Sequence, residues 1–89
     1  MPDRTAKDDM THSVTAVDVE LDVKGLNCPL PILRTKKALS TMTSGQTIRV
    51  QATDPGSVAD FAAFARHTGN TLLEQREADG VFEFVLQRK

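Results

Sequence analysis

Hydrophobic and polar residues alternate strictly near the start of the chain. Four aliphatic residues, Val17, Val19, Leu21 and Val23, are separated by charged ones. A period of two places the aliphatic side chains on one side of an extended chain and the charged ones on the other. The segment is therefore predicted to be a strand with one buried and one solvated face, as in a sheet that is covered on one side only.

Two stretches show the spacing of three and four residues that is typical of helices. The apolar stripe of the first consists of Ile32, Leu33, Ala38, Leu39 and Met42, and that of the second consists of Val58, Phe61, Ala62 and Ala65. We expect the first helix to begin at Pro29 to Pro31, since proline is accepted in a first turn, and to end at Ser44-Gly45. The second is expected to end at Gly69.

Three further segments, 47–53, 70–77 and 81–87, are predicted to be strands, and Asp79-Gly80 is predicted to be the hairpin turn between the last two. The order is β-α-β-α-β-β, in which a helix joins two parallel strands. We therefore predict an α+β fold, a two-layer α/β sandwich with two helices on one face of a four-stranded mixed sheet. This domain would occupy residues 16–89, after a disordered polar tail at residues 1–15.

Composition narrows the class of protein. The 89 residues suffice for one domain, and the net charge of −1 argues against a dedicated nucleic-acid binder. No apolar run approaches the roughly 20 residues of a membrane span, and the first residues lack the apolar centre of a secretory signal. A cytoplasmic protein is expected, whose translation starts at either Met1 or Met10.

The chain has one cysteine, Cys28. A single thiol excludes an internal disulfide, an all-cysteine metal site and a Cys-x-x-Cys oxidoreductase, and no other residues show metal-ligand spacing. Such a cysteine can be a small buried core residue. The local sequence instead favours a chemical role, since Cys28 lies between the end of a strand and the start of a helix.

The segment Gly25-Leu26-Asn27-Cys28-Pro29-Leu30-Pro31 predicts how this thiol is presented. Gly25 allows a sharp exit from the strand, and the two prolines stiffen the turn so that the sulfur points outward. Unpaired N–H groups and the positive end of the helix dipole stabilise a thiolate. We therefore expect the pKa of Cys28 to lie below that of a free cysteine.

This motif, Gly25-Leu26-x-Cys28-Pro29-x-Pro31, resembles that of the TusA (SirA-like) sulfur carriers. The resemblance covers about residues 18 to 88 and includes Leu21-Asp22, Gly45 and Asp54-Pro55. It implies the same sandwich fold. It also implies that Cys28 carries sulfur as a persulfide, that Gly25, Leu26, Pro29 and Pro31 shape the site, and that the chain binds no metal or cofactor.

The resemblance also implies partners. The donor would be a cysteine desulfurase or a rhodanese, and the acceptor another carrier, such as a DsrE-type or TusBCD-like protein. The chain would act as a sulfurtransferase by persulfide relay, as a monomer that forms transient complexes. Leu30 replaces the Glu, and Asn27 the Arg, that are common in the enterobacterial tRNA-thiolation group. Sulfur oxidation, other sulfur metabolism and tRNA thiolation therefore all stay open as pathways.

Charged residues near the motif are candidates for partner binding. Arg34, Lys36 and Lys37 either contact an acidic partner or form a solvated helix face. Asp54 either caps the second helix or shapes a surface beside Cys28, because parallel strands end at the same side of a sheet. Asp60 is expected to face solvent.

Two other functions compete with the sulfur carrier. The first is a protein-binding or RNA-binding regulatory module in which Cys28 is incidental. The second is a redox sensor whose thiol is oxidised to sulfenic acid. Replacing Cys28 by Ser distinguishes them, since only the binding module would keep its function.

Overall fold

Two helices lie on one face of a four-stranded mixed sheet in the computed structural model, which describes residues 16–89. The elements are β1 (Val19–Asp22), α1 (Leu30–Ser40), β2 (Thr47–Ala52), α2 (Ser57–Thr68), β3 (Thr71–Ala78) and β4 (Val81–Gln87). The strand order is β1-β2-β4-β3. The predicted fold class and element order are therefore confirmed, whereas the predicted tail at residues 1–15 lies outside the described residues.

The sheet topology decides where the two strand-to-helix connections lie. Strands β1 and β2 are parallel, with Val19 opposite Ile48 and Asp22 opposite Gln51. Strand β4 runs antiparallel to both β2 and β3. Because β1 and β2 point the same way, the connections that follow them leave the sheet at the same end. This end, formed by residues 23–29 and 53–57, is called the carboxyl end below.

The core lies between the sheet and the helices. Its fully or almost fully buried members are Val23, Leu39, Met42, Ile48, Val50, Ala52, Phe61, Phe84 and Leu86. The ring of Phe61 from α2 stacks on that of Phe84 from β4, with centroids 4.3 Å apart and planes inclined by 12°. This pair joins the helical layer to the middle of the sheet, as the helical spacing of Phe61 and the strand alternation at Phe84 require.

The other face of the sheet carries an ion-pair network. Arg49 of β2 contacts Glu20 of β1 at 2.7 Å and Glu83 of β4 at 2.9 Å. Both contacts join neighbouring strands across the solvated face that the alternation predicted. Val85 is an exception on this face, since it pairs with Arg49 in the strand register and yet is fully buried.

Helix α1 ends at Ser40, earlier than the predicted end at Ser44. The N–H groups of Thr41 and Met42 bond to carbonyls three residues back, and the Thr41 hydroxyl donates a 2.8 Å bond to the Ala38 carbonyl. Such bonds satisfy the last carbonyls locally and tighten the final turn. Met42 lies outside the helix but is still buried in the core.

Helix α2 ends as predicted and begins differently. At its end, Gly69 adopts a φ of 83° and donates its N–H to the Ala65 carbonyl. At its start the N-cap residue is Gly56, and no side chain caps the helix, so the predicted cap by Asp54 or Ser57 is wrong. Neither α1 nor α2, with 11 and 12 residues, has the length and apolar character of a membrane span.

Two buried hydroxyl groups give a matched test of polar burial. Thr35 is fully buried and donates a 2.8 Å bond to the Pro31 carbonyl, whereas the buried Ser57 hydroxyl has no hydrogen-bond partner within residues 16–89. Thr35→Val should therefore lower the free energy of unfolding by about 1 kcal/mol, and Ser57→Ala should leave it unchanged or raise it. Urea unfolding of the two variants measures the difference, and a larger loss in Ser57→Ala would contradict this account.

Candidate functional site

Cys28 lies in the connection between β1 and α1, and its side chain is exposed. Gly25 begins this connection with a φ of 85°, a conformation that strongly favours glycine. Its N–H donates a 2.9 Å bond to the Thr53 hydroxyl, and Leu26 packs against the core. The connection therefore leaves the strand sharply, as predicted, and Leu26 anchors it beneath the exposed thiol.

The prolines form the start of α1, as the sequence predicts. Pro29 is the N-cap residue, its carbonyl accepts the N–H of Leu33 at 3.1 Å, and the peptide bond between Cys28 and Pro29 is cis. Pro31 is buried within the first turn. The N–H of Leu30 is bonded to the Asn27 carbonyl at 2.8 Å. Hence the Leu30 and Leu33 N–H groups are used within the turn, which leaves fewer donors for the sulfur.

Asp54 holds the Cys28 connection in place. Its Oδ2 atom accepts the Cys28 N–H at 2.9 Å across a separation of 26 residues, and its Oδ1 atom accepts the Gly56 N–H at 3.3 Å. One carboxylate thus ties together the two connections at the carboxyl end of the sheet. The expectation that Asp54 borders Cys28 because β1 and β2 end together is supported, and a role as helix cap is not.

Asp60 in the first turn of α2 is half-buried and borders the thiol, so its predicted place in solvent is wrong. The Asp60 carboxylate accepts a hydrogen bond from the thiol and thereby raises the pKa of Cys28. Partial desolvation of the thiol and the negative charges of Asp60 and Asp54 act in the same direction. The predicted lowering of this pKa is therefore wrong, because it considered the helix end and not the carboxylates beside it.

The three bases predicted to bind a partner, Arg34, Lys36 and Lys37, are all exposed on α1. None of them forms a hydrogen bond or ion pair through its side chain within residues 16–89, and none contributes to the pKa of Cys28. Arg34 follows Cys28 by about one and a half helical turns and is not brought to the thiol. Their contact with a partner stays a prediction.

Two exposed leucines on α1 are a feature that the sequence reasoning missed. Leu30 is 43% exposed and Leu33 is 50% exposed. They are three residues apart and therefore lie on neighbouring positions of one helix face, directly after Cys28. The sequence analysis placed Leu33 in the buried stripe. Its spacing of four from the exposed Lys37, and of three from the exposed Leu30, is the signal that would have placed it in solvent.

The site offers a thiol and carboxylates but no metal centre, since no cluster of three possible ligands exists in the described part of the chain. An accessible thiol at the tip of a braced connection can attack sulfur in another molecule. The absence of a bound cofactor stays a prediction of the resemblance.

Comparison with known proteins decides the family. Residues 19–88, which include the whole Cys28 connection, match the family model described as sulfurtransferase TusA. The chain belongs to the TusA family. The resemblance predicted from the motif is thereby confirmed, and so is the coarse function of a sulfur carrier that exchanges sulfur with donor and acceptor proteins.

Individual members of the TusA family agree with this assignment. The sulfur carrier protein TusA of Allochromatium vinosum is 61% identical over 71 residues, which are 80% of this chain and 93% of the relative. A putative sulfur carrier protein of Neisseria meningitidis is 58% identical over 69 residues, 78% of this chain and 93% of the relative. The crystal structure of a SirA-like protein from Desulfitobacterium hafniense shares the fold, with a TM-score of 0.71 and 29% identity over 79% of this chain and 96% of that one.

Proposed function

We propose that this TusA protein carries sulfur as a persulfide on Cys28. The observation that carries the proposal is the position of the chain's one cysteine, exposed at the start of α1 on a connection fixed by Asp54. A carrier must expose its sulfur to two partners in turn, and a braced, exposed turn does this without any rearrangement of the domain.

Sulfur transfer by this site is an exchange between thiols. The Cys28 thiolate attacks the outer sulfur of a donor persulfide, the donor S–S bond breaks, and the donor cysteine leaves as a thiolate that takes up a proton. The product is Cys28–S–SH. In the second step a thiolate of the acceptor attacks that outer sulfur and Cys28 leaves. Both steps conserve electrons, so that neither needs an oxidant, a metal or a cofactor in this chain.

The donor in this proposal is a cysteine desulfurase or a rhodanese, and the acceptor is a DsrE-type or TusBCD-like carrier in the cytoplasm. The end of the pathway is sulfur oxidation, other sulfur metabolism or tRNA thiolation. Leu30 after the Cys28-Pro29 pair favours the first two, because the enterobacterial tRNA-thiolation group has an acidic residue there.

Partner docking is proposed for the exposed face of α1. Leu30 and Leu33 provide apolar surface beside the sulfur, and Arg34, Lys36 and Lys37 provide a basic border. An apolar centre with a charged rim is typical of transient interfaces. Because the face adjoins Cys28, a protein bound to it has its own cysteine near the carried sulfur.

Incubation with defined donors tests this function. The purified protein is mixed with a cysteine desulfurase and cysteine, or with a rhodanese and thiosulfate, and its intact mass is read before and after reduction. A gain of one sulfur atom that reductant removes is expected with at least one donor, and the productive donor identifies the pathway. A folded protein that neither donor loads would contradict the proposal.

Leu33→Glu should weaken transfer to a protein partner without changing the sulfur chemistry. The substitution places a charge in the apolar centre of the docking face, and we expect at least a tenfold fall in kcat/KM, which corresponds to about 1.4 kcal/mol. Leu73→Glu is the matched control, since Leu73 is 45% exposed but lies on β3, away from α1. Equal effects of the two variants on transfer kinetics would exclude this face.

A further inference from the structure

Two carboxylates border the reacting sulfur without a cation to balance them. Asp54 is bonded to the Cys28 main chain at 2.9 Å, and Asp60 accepts a hydrogen bond from the thiol. Within residues 16–89, neither carboxylate forms an ion pair. Lys24 is the nearest base along the chain, and it contacts Asp22 at 3.8 Å and Gln51 at 3.3 Å instead. The isolated domain therefore presents its sulfur on a negatively charged surface.

This arrangement opposes both steps of sulfur transfer in the isolated protein. Loading requires Cys28 to become a thiolate before it attacks, and unloading requires it to leave as one. Negative charge on the sulfur is repelled by Asp54 and Asp60 in both cases. The same repulsion acts on the outer sulfur of an anionic persulfide. A positive charge placed beside the two carboxylates would relieve all three states.

The bases of this chain are poorly placed to provide that charge. Arg34, Lys36 and Lys37 lie further along α1 and do not influence the thiol. Asp54 is held by the N–H groups of Cys28 and Gly56 and cannot turn away from the site without losing both bonds. The missing positive charge must therefore come from another molecule.

We propose that the proteins which exchange sulfur with this chain present a lysine, arginine or protonated histidine beside their own reacting cysteine, and that this cation pairs with Asp54 and Asp60 as the two sulfurs meet. The inference rests on the proposed persulfide function and adds the chemistry of the partner's contact surface. It makes Cys28 a thiol that is held in check in the free carrier and activated in the complex. Asp54 and Asp60 are then positioning residues for the partner's cation.

Small disulfides of different charge test this directly, because attack of Cys28 on them needs no sulfur donor. We would measure the rate with cystamine, which is dicationic, with 2-hydroxyethyl disulfide, which is neutral, and with 3,3′-dithiodipropionate, which is dianionic. The preference is defined as the cystamine rate divided by the dithiodipropionate rate. Dividing the preference of the wild type by that of a variant cancels the intrinsic reactivity of the reagents.

The variants are Asp54→Asn and Asp60→Asn, which keep an amide oxygen as acceptor and remove the charge. We expect the preference to fall roughly fivefold or more in Asp60→Asn at low salt, and to fall in the wild type as salt is added. Asp79→Asn at the β3–β4 turn is the control, since it removes one charge but does not act on Cys28. Circular dichroism verifies that each variant is folded.

An unchanged preference in both Asp54→Asn and Asp60→Asn, or an equal change in Asp79→Asn, would overturn the inference. The result is independent of the donor experiment. A charge preference that depends on Asp60 in a protein that no donor loads would refute the persulfide function and leave the electrostatic inference standing. Loading without any charge preference would do the reverse.

Discussion

Cys28→Ser should abolish sulfur loading from every donor while leaving the fold unchanged. A serine hydroxyl is not a nucleophile at neutral pH without a base to activate it, and it cannot form a persulfide. The side chain of Cys28 is exposed, and the bond to Asp54 uses the main-chain N–H, which serine retains. The expected result is an intact mass that shows no added sulfur under conditions in which the wild type is loaded.

The same variant separates the competing functions. A regulatory binding module would keep its partner in Cys28→Ser, whereas a sulfur carrier or a redox sensor would lose its activity. The last two are distinguished by treating the wild type with peroxide and with a persulfide donor in parallel. Residual loading of the serine variant would show that sulfur is bound elsewhere and would contradict the central role of Cys28.

Phe61→Ala should be the most destabilising single substitution in the core. Phe61 is fully buried and stacks on Phe84, so that truncation removes both the ring contact and the apolar burial that joins α2 to the sheet. Such changes cost about 3–5 kcal/mol. A domain of this size has a total stability of only about 4–11 kcal/mol, so much of the protein is expected to be unfolded or close to it.

Phe64→Ala on the same helix is the matched control. Phe64 is only half-buried at the border of the core, and we expect its truncation to cost less than half as much. The chain contains no Trp or Tyr, so urea unfolding is followed by far-ultraviolet circular dichroism. Similar midpoints for the two variants would show that the Phe61–Phe84 contact does not dominate the core.

Local periodicity was sufficient to predict the elements of this fold. The alternation in β1 and the helical spacing in α2 each reflect one buried face, and Gly69 ends α2 because its left-handed conformation suits glycine. The proline-flanked Cys28 was predicted to be exposed for a similarly local reason. The end of α1 was not, because it depends on the hydroxyl of Thr41 competing for a helix carbonyl.

The electrostatics of the site could not be predicted in this way. Asp54 and Asp60 reach Cys28 only because two parallel strands deliver their connections to the same end of the sheet. A helix start viewed alone suggests a lowered thiol pKa, and the carboxylates from the second connection reverse that direction. The register of β1 against β2 would have placed Asp54 near Cys28, but the orientation of α2 is needed to place Asp60.

The bond that fixes Cys28 belongs to its main chain and not to its sulfur. Chemistry at the sulfur atom therefore leaves the brace intact, and the empty and the loaded carrier have the same backbone at the site. An acceptor cannot tell them apart by shape and must sense the extra atom itself. We expect empty carrier to occupy acceptors almost as well as loaded carrier, so that the flow of sulfur depends on the ratio of the two forms and not on the loaded form alone.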